Sequence, residues 1–288
     1  MYDSLQVLTD KKENAKKKFW TLVMEEDAHE QGRDKKTVFS NMKAMYLAMK
    51  ASDEEYNPRQ KSSSGLVGTE AAKLNKRRKN KEMVCGDFVG EVMERALKIS
   101  ESNACMKRIV AAPTAGSCGV LPAVLISFQK RENLSDEKMT EALFVAGGIG
   151  GVIASRASIS GAEGGCQAEI GAASAMAAGA LTYLLGGDGK ASANAAALAL
   201  KNLLGLSCDP VAGLVEVPCV KRNVMGAVNA LTSADMTMAG IISRIPPDEV
   251  IDAMRSIGRS MPKEIRETGL GGLAQTATGN TIREKIAL

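Results

Sequence analysis

Three cysteines stand in stretches of sequence that hold their thiols in fixed positions. Cys166 follows two glycines in EGGCQAEIGAASAM, while Cys208 and Cys219 lie eleven positions apart in CDPVAGLVEVPC. Cys166 stands at the predicted start of a helix, where unpaired amides and the helix dipole favour a thiolate. Pro210 and Pro218 restrict the backbone beside the other two cysteines. Three positioned thiols predict soft ligation of an iron–sulfur cluster or zinc, and ordinary buried cysteines that act as small hydrophobic residues are the alternative.

The other three cysteines and the single histidine carry weaker arguments for chemistry. Cys85 and Cys105 have no rigid neighbours and are interpreted as structural or incidental thiols, while Cys118 lies in the loop TAGSCG. His29 stands in the charged segment EEDAHEQGR, which predicts a surface histidine. One histidine excludes a histidine-rich zinc site and argues against a Ser-His-Asp triad. The glycine run GGIGG lacks the spacing and preceding strand of a dinucleotide site, and it predicts close helix packing instead.

Composition excludes several classes of partner. The chain has 288 residues, a formal net charge of +4 and only 3% aromatic residues. Nucleic-acid binding needs a broad basic face with stacking aromatics, so the basic run KLNKRRKNKE is interpreted as a solvated connector and no nucleic-acid partner is expected. The first residues lack the apolar core and cleavage site of a secretory signal. We therefore expect a cytoplasmic protein whose thiols stay reduced.

The elements that must position the thiols are predicted to be helices. Alternating β-branched runs are nearly absent, and the stretches IGAASAMAAGALTYLLGG and ASANAAALAL read as buried helices of a core, with no membrane insertion. The sequence predicts an all-α fold around these Ala/Gly-rich central helices. Residues 1–56 are expected to form an N-terminal arm of two amphipathic helices, and residues 57–288 a helical catalytic domain. Ser135 and Pro247 stand where helix starts are expected.

Several long stretches of the chain resemble one known family. They are GLVGTEAAKL, AAPTAGSCGVLPAVL, ASISGAEGGCQAEIGAASAMAAGA, LKNLLGLSCDPVAGLVEVPCVKRNVMGAVNA, SRIPPDEVIDAM and RETGLGGLAQTATGN. The sequence resembles the α subunit of the two-chain bacterial iron–sulfur-dependent L-serine dehydratases over essentially its whole length. The resemblance implies that Cys166, Cys208 and Cys219 match the three ligands of a [4Fe-4S] cluster. It also implies L-serine as substrate and a separate β subunit that carries an ACT-type regulatory module.

The resemblance also sets expectations for the reaction and its control. The implied reaction is β-elimination of water from L-serine, followed by hydrolysis to pyruvate and ammonia, with the open iron as Lewis acid. Single-chain relatives can insert a C-terminal cysteine as an inhibitor, and the final segment here contains no cysteine. We therefore expect that mode of control to be absent.

Polar residues in the matched stretches are candidates for the rest of the site. Thr114, Gly116 and Ser117 offer hydroxyl and amide donors at a helix start, where a substrate carboxylate binds readily. The candidates of the second group are Ser62, Ser63 and Ser64, which have helix capping as their alternative role.

Charged residues in the matched stretches complete the candidate set. Lys73 is a candidate base if desolvation lowers its pKa, and the alternative is a solvated lysine. Arg222, with its neighbour Lys221, is a candidate to bind carboxylate or to tune the cluster. Glu163 and Glu169 flank Cys166 as candidate proton carriers, with support of the metal ligands as their alternative role, and the sequence does not rank them.

Other functions stay open at this point. Elimination from another small β-substituted amino acid, such as threonine or cysteine, uses the same chemistry. A non-catalytic subunit that binds zinc or a cluster belongs to a different class. A pyridoxal-phosphate dehydratase needs a Schiff-base lysine and a glycine-rich phosphate cup, and neither motif is evident.

Overall fold

The computed structural model describes residues 2–10 and 17–286, and this part of the chain is built from α-helices without a β-strand. The predicted all-α fold is confirmed. The helices are α1 Leu5–Asp10, α2 Phe19–Gln31, α3 Lys35–Glu54, α4 Glu70–Lys79, α5 Gly86–Ala104, α6 Val120–Glu132, α7 Asp136–Arg156, α8 Gly161–Gly164, α9 Ala172–Leu184, α10 Gly189–Lys201, α11 Cys219–Met238, α12 Pro247–Ser260 and α13 Ala277–Ile286.

The alanine-rich helices α9 and α10 lie at the centre of the core, as predicted. Helix α9 packs against α6, α7, α10 and α11, and almost all of its residues are buried. Small side chains permit this close approach: a Cβ atom at Gly179 would lie 3.0 Å from the carbonyl oxygen of Ser192 on α10. Among the described residues, no helix is long and apolar enough to cross a membrane.

The helices of residues 19–54 share this core. Their buried side chains Phe19, Leu22, Tyr46 and Met49 belong to the same hydrophobic cluster as the central helices. The run GGIGG lies within α7, where a Cβ at Gly148 would collide with the Val23 side chain of α2. Close helix packing at these glycines is therefore confirmed. The boundary at residue 56 stays a prediction.

Two helix starts follow the predicted local signals, and one segment differs. Ser135 caps α7 by accepting from the Lys138 backbone N–H at 3.2 Å, and Pro247 stands in the first turn of α12. The basic run is wrong as a connector, because residues 73–79 of the run form most of α4. The guanidinium of Arg78 donates to Glu94 of α5 at 3.0 Å, which holds this helix against the core. Four basic residues in its last turn also suit the negative end of the helix dipole.

Short irregular segments between the helices position the candidate site. A turn of 3₁₀ helix, Ala115–Ser117, precedes α6, and a π-helix, Gln167–Gly171, leads into α9. The loop of residues 202–218 connects α10 to α11. A chain segment after α12 runs beside this loop, because Cys208 N–H donates to the Ile265 carbonyl at 2.8 Å and Glu267 N–H donates to the Cys208 carbonyl at 2.7 Å.

Candidate metal centre

The structure places Cys166, Cys208 and Cys219 in three separate segments of the chain. Cys166 caps the π-helix, Cys208 lies in the loop before α11, and Cys219 is the first residue of α11. All three side chains are buried. The six cysteines form no disulfide bond in the described residues.

Burial controls the acidity of these thiols. It raises the pKa of Cys166 to about 11 and that of Cys219 to about 12. Burial also raises the pKa of Cys208, and the negative charges of Glu169, Cys166, Glu267 and Cys219 add to the increase. The three cysteines are therefore close enough for the charge of one to affect another. The expected thiolate at Cys166 is not favoured, because burial outweighs the effect of the short helix start.

Arg222 is the cation of this site. Its guanidinium donates to the Ser207 carbonyl at 2.7 Å and to Asp209 Oδ1 at 2.9 Å, and it lies three residues after Cys219 on α11. Its positive charge opposes the rise in the pKa of Cys166. Arg222 thus links the segment around Cys208 to the start of α11 and keeps positive charge beside the thiols.

Glu169 lies between the 3₁₀ turn and Cys208. Thr114 Oγ1 donates to Glu169 Oε1 at 2.8 Å, and Cys208 Sγ lies 3.8 Å from Glu169 Oε2 as a weak donor. Burial raises the pKa of the Glu169 carboxyl, the hydrogen bond from Thr114 lowers it, and the charge of Glu267 raises it. Gly116 packs on the same carboxylate, since a Cβ there would lie 3.1 Å from Oε1.

The predicted donors Thr114 and Ser117 are joined in one hydrogen-bonded turn. Their hydroxyl oxygens lie 3.1 Å apart, and the Ser117 side chain is fully buried. Asn223 fixes this turn to α11: its side-chain amide donates to the Gly116 carbonyl at 2.7 Å, and its oxygen accepts from the Gly119 N–H at 2.9 Å. These two hydrogen bonds fix the position of the turn relative to α11, the helix that begins at Cys219.

The SSSG loop, residues 62–65, contacts the loop between Cys208 and Cys219 through a carboxylate that the sequence did not single out. Ser62 Oγ donates to Glu216 Oε2 at 2.9 Å, and Ser64 Oγ donates to the same oxygen. Glu216 is buried and lies between the two cysteines of CDPVAGLVEVPC. Ser63 is exposed. Two of the three predicted substrate-binding hydroxyls are therefore occupied by a contact within the chain.

The remaining charged candidates lie at the surface. Lys73 is exposed on α4, so the desolvation on which its role as a base depends is not present there, and that role stays a prediction. Lys221 is half exposed and pairs with Glu70 at 2.5 Å. Glu163 is exposed, whereas Glu169 is directed to the thiols, so the structure separates two residues that the sequence did not rank.

The other cysteines and the histidine lie away from the three thiols. Cys118 is buried, and its thiol lies 3.9 Å from the Ile99 carbonyl that accepts its weak hydrogen bond. Cys85 is exposed and Cys105 is partly exposed. His29 is exposed on α2, which confirms the predicted surface histidine.

The donor set fits a sulfur-rich metal group better than a single hard ion. Soft thiolates favour iron–sulfur clusters, zinc and copper(I). In the part of the chain that the structure describes, no group of three or more His, Cys, Asp or Glu side chains converges as it would around one ion.

An all-α fold with three buried thiols from separate segments defines a class of helical proteins with a thiol-rich candidate metal centre. A sequence profile described as serine dehydratase alpha chain matches residues 14–274. The chain belongs to this family.

Named relatives agree with this assignment. The chain is 49% identical over 254 residues to the "Probable L-serine dehydratase, alpha chain" of Bacillus subtilis (strain 168). The matched region covers 88% of this chain and 85% of the relative. It is 50% identical over 200 residues to the "L-serine dehydratase, alpha chain" of Peptoniphilus asaccharolyticus, covering 69% and 68%. It is also 47% identical over 181 residues to "L-serine dehydratase TdcG" of Escherichia coli (strain K12), covering 62% of this chain and 40% of that longer protein.

Proposed function

We propose that this chain is the catalytic subunit of an L-serine dehydratase, a lyase that converts L-serine to pyruvate and ammonia. The observation that carries the proposal is a set of three buried thiols from separate segments, close enough for their charges to interact, with Arg222 and Glu169 beside them. Membership in the serine dehydratase alpha chain family and the names of the relatives support the substrate.

Cys166, Cys208 and Cys219 are the proposed ligands of a [4Fe-4S] cluster. Cysteine thiolates are the usual ligands of such clusters, and three of them leave one of the four irons without a protein ligand. Burial disfavours the free thiolates, and a bound cation reverses that balance because a coordinating thiol loses its proton. When bound, the cluster supplies a Lewis acid for the carboxylate and hydroxyl of serine.

The protein groups around this centre have distinct proposed tasks. Arg222 keeps a positive charge beside the thiols and fixes the two cysteine segments relative to each other. Thr114, Gly116 and Ser117 form the turn that is proposed to receive the substrate carboxylate, and Asn223 holds this turn in place. Ser63 is the serine of the SSSG loop whose exposure leaves its hydroxyl available to a ligand.

Glu169 is the proposed proton carrier. Its Oε1 accepts from Thr114 and its Oε2 faces Cys208, so the carboxylate lies between the proposed substrate turn and a proposed ligand. Burial raises the pKa of the Glu169 carboxyl, which favours its taking up a proton. Loss of the α-proton and of hydroxide from serine gives aminoacrylate and water. Aminoacrylate becomes the imine, and hydrolysis of the imine consumes one water to give pyruvate and ammonia.

A separate β subunit with an ACT-type module is the proposed partner. The alpha chain names of the relatives support a second chain. A cytoplasmic location is part of the proposal, since all six cysteines are unpaired and thiols stay reduced in that compartment.

The test combines anaerobic iron and sulfide analysis with an absorption spectrum and a pyruvate assay with the β subunit present. Wild type should contain about four irons per chain. Cys208→Ser should lose both the cluster and the activity. Cys85→Ser is the control, because this exposed thiol lies before α5 and contacts Met93 rather than a residue of the proposed site.

A colourless or zinc-bearing wild type that still forms pyruvate would remove the cluster from the proposal. Comparison of L-serine with L-threonine and L-cysteine tests the substrate, and faster turnover of either alternative would reassign it. Absence of turnover in the iron-loaded chain with its β subunit would favour a non-catalytic subunit.

A further inference from the structure

A polar cavity lies next to the chain segment that contains Cys166. Its volume is about 320 Å³, and it is bounded by α8, by α12 and by the segment that follows α12. Three arginines line it, Arg255, Arg259 and Arg266, and we call it the arginine cavity. None of these arginines belongs to the proposed catalytic set.

The charges of the arginine cavity are unbalanced. Glu163 is the carboxylate among the lining residues, against three guanidinium groups. Arg255 pairs with Asp252 at a long 3.7 Å. Among the described residues, Arg259 and Arg266 form no ion pair with a carboxylate. Three like charges around one cavity repel one another, and a bound anion relieves that repulsion.

Arg266 offers an enclosed donor that lacks an acceptor. Its Nε atom is buried and has no hydrogen-bond partner within the described structure, and its Nη1 makes only a long contact of 3.5 Å with the Glu163 carbonyl. A buried donor without an acceptor is costly, so such donors are normally paired. A guanidinium donates in a planar fork that matches the two oxygens of a carboxylate or phosphate.

We propose that the arginine cavity binds a small anion that carries a carboxylate or phosphate group. The site borders the cysteine segments on two sides. Gly164 lines the cavity two residues before Cys166, and the backbone on either side of Arg266 is hydrogen-bonded to Cys208. An anion held by Arg266 therefore stabilises the segment that pairs with Cys208.

Calorimetric titration of the full chain, at constant ionic strength balanced with chloride, tests the proposal. The probes are inorganic phosphate and succinate, which distinguish the two sources of an oxyanion. We expect one site for at least one probe, and binding about tenfold weaker or worse in Arg259→Gln and in Arg266→Gln, since each loses a charged donor. Arg244→Gln, which removes an exposed arginine outside the cavity, should bind as wild type does.

Arg259 is exposed on α12, so Arg259→Gln keeps the test decisive if Arg266→Gln folds poorly. Wild-type affinity in Arg259→Gln would overturn the proposal, as would wild-type affinity in a folded Arg266→Gln or the absence of binding heat for both probes. Hydrogen exchange locates the anion. The Cys208 N–H, which donates to the Ile265 carbonyl, should exchange more slowly when the probe that binds is present. These measurements need neither iron nor turnover. Their outcome is therefore independent of the proposed function.

Discussion

Arg222 and Asp209 form a buried ion pair that joins the two ends of the cysteine loop. The Arg222 guanidinium donates to Asp209 Oδ1 at 2.9 Å, and the other oxygen of Asp209 accepts from the Leu273 N–H at 2.9 Å. Asp209 follows one proposed ligand, and Arg222 lies one helical turn after another. The pair therefore fixes the distance between two thiols as well as the path of the segment after α12.

Arg222→Ala should lower the free energy of unfolding by about 3 kcal/mol, because it leaves the Asp209 charge buried without its partner. It should also lower the iron content per chain. Chemical denaturation and iron analysis measure the two effects. Lys221→Ala is the matched control: Lys221 is the preceding residue, its pair with Glu70 is largely exposed, and an exposed pair contributes about 1 kcal/mol or less. Equal losses in the two variants would contradict the structural role of the Arg222–Asp209 pair.

Asn223→Ala should destabilise the turn at Ala115–Ser117. Asn223 is buried and contacts Gly116, Gly119 and Cys219, so its loss leaves the Gly119 N–H and the Gly116 carbonyl without these partners. The Gly119 N–H is the buried one of these two groups, and an unsatisfied buried group costs about 1–3 kcal/mol. We expect a loss in that range by denaturation, and a raised KM for serine. In the control Asn202→Ala, an exposed amide contact to Asn229 is lost, and both values should stay near wild type. An unchanged KM in Asn223→Ala would separate the turn from substrate binding.

The helices could be predicted because their signals are local. The cap at Ser135 and the proline at Pro247 act within one turn of the chain, and the alanine-rich pattern of α9 and α10 reports burial directly. The basic run in α4 was misread because its composition resembles a solvated segment, whereas Arg78 is anchored to Glu94 on another helix.

The site was only partly predictable because its contacts are distant in sequence. The three cysteines stand in recognisable stretches. Glu163 and Glu169 differ in environment because α8 ends at Gly164 between them: Glu163 is exposed, and Glu169 lies beside Cys208. The partners of Glu216 lie 154 and 152 residues away, so no spacing rule finds them. The available signal was a carboxylate within the otherwise apolar run VAGLVEV between the two cysteines.

Glu216→Gln should loosen the SSSG loop. Glu216 accepts two hydroxyl hydrogen bonds, and replacing the carboxylate with an amide weakens these charge-assisted contacts while the shape of the side chain is kept. We expect a loss of about 1–3 kcal/mol in stability. The Leu66 N–H, which donates to Ser64 Oγ, should also exchange faster with solvent. Hydrogen exchange followed by mass spectrometry measures the second effect.

Ser63→Ala is the matched control for this loop, because Ser63 is exposed. It should leave both stability and exchange at wild-type values. If Ser63→Ala raises KM for serine while stability is unchanged, the proposed ligand contact of Ser63 is supported. Faster exchange of Leu66 in Ser63→Ala, but not in Glu216→Gln, would contradict the role of the carboxylate.

Asp136 should contribute stability that depends on pH. Hydrogen bonds from Gln129 at 2.7 Å and Lys50 at 3.0 Å lower the pKa of this carboxyl, with the Gln129 bond as the larger cause. A lowered pKa means that the contribution is present above the pKa of the unfolded chain and is lost as the pH falls through the folded value. Wild type should therefore lose stability more steeply than Asp136→Asn as the pH falls below about 4. Urea denaturation at a series of pH values measures the two slopes, with Asp235→Asn as the control that removes an exposed carboxylate. Parallel slopes for wild type and Asp136→Asn, with both proteins folded, would show that the Gln129 and Lys50 contacts do not stabilise the charged form.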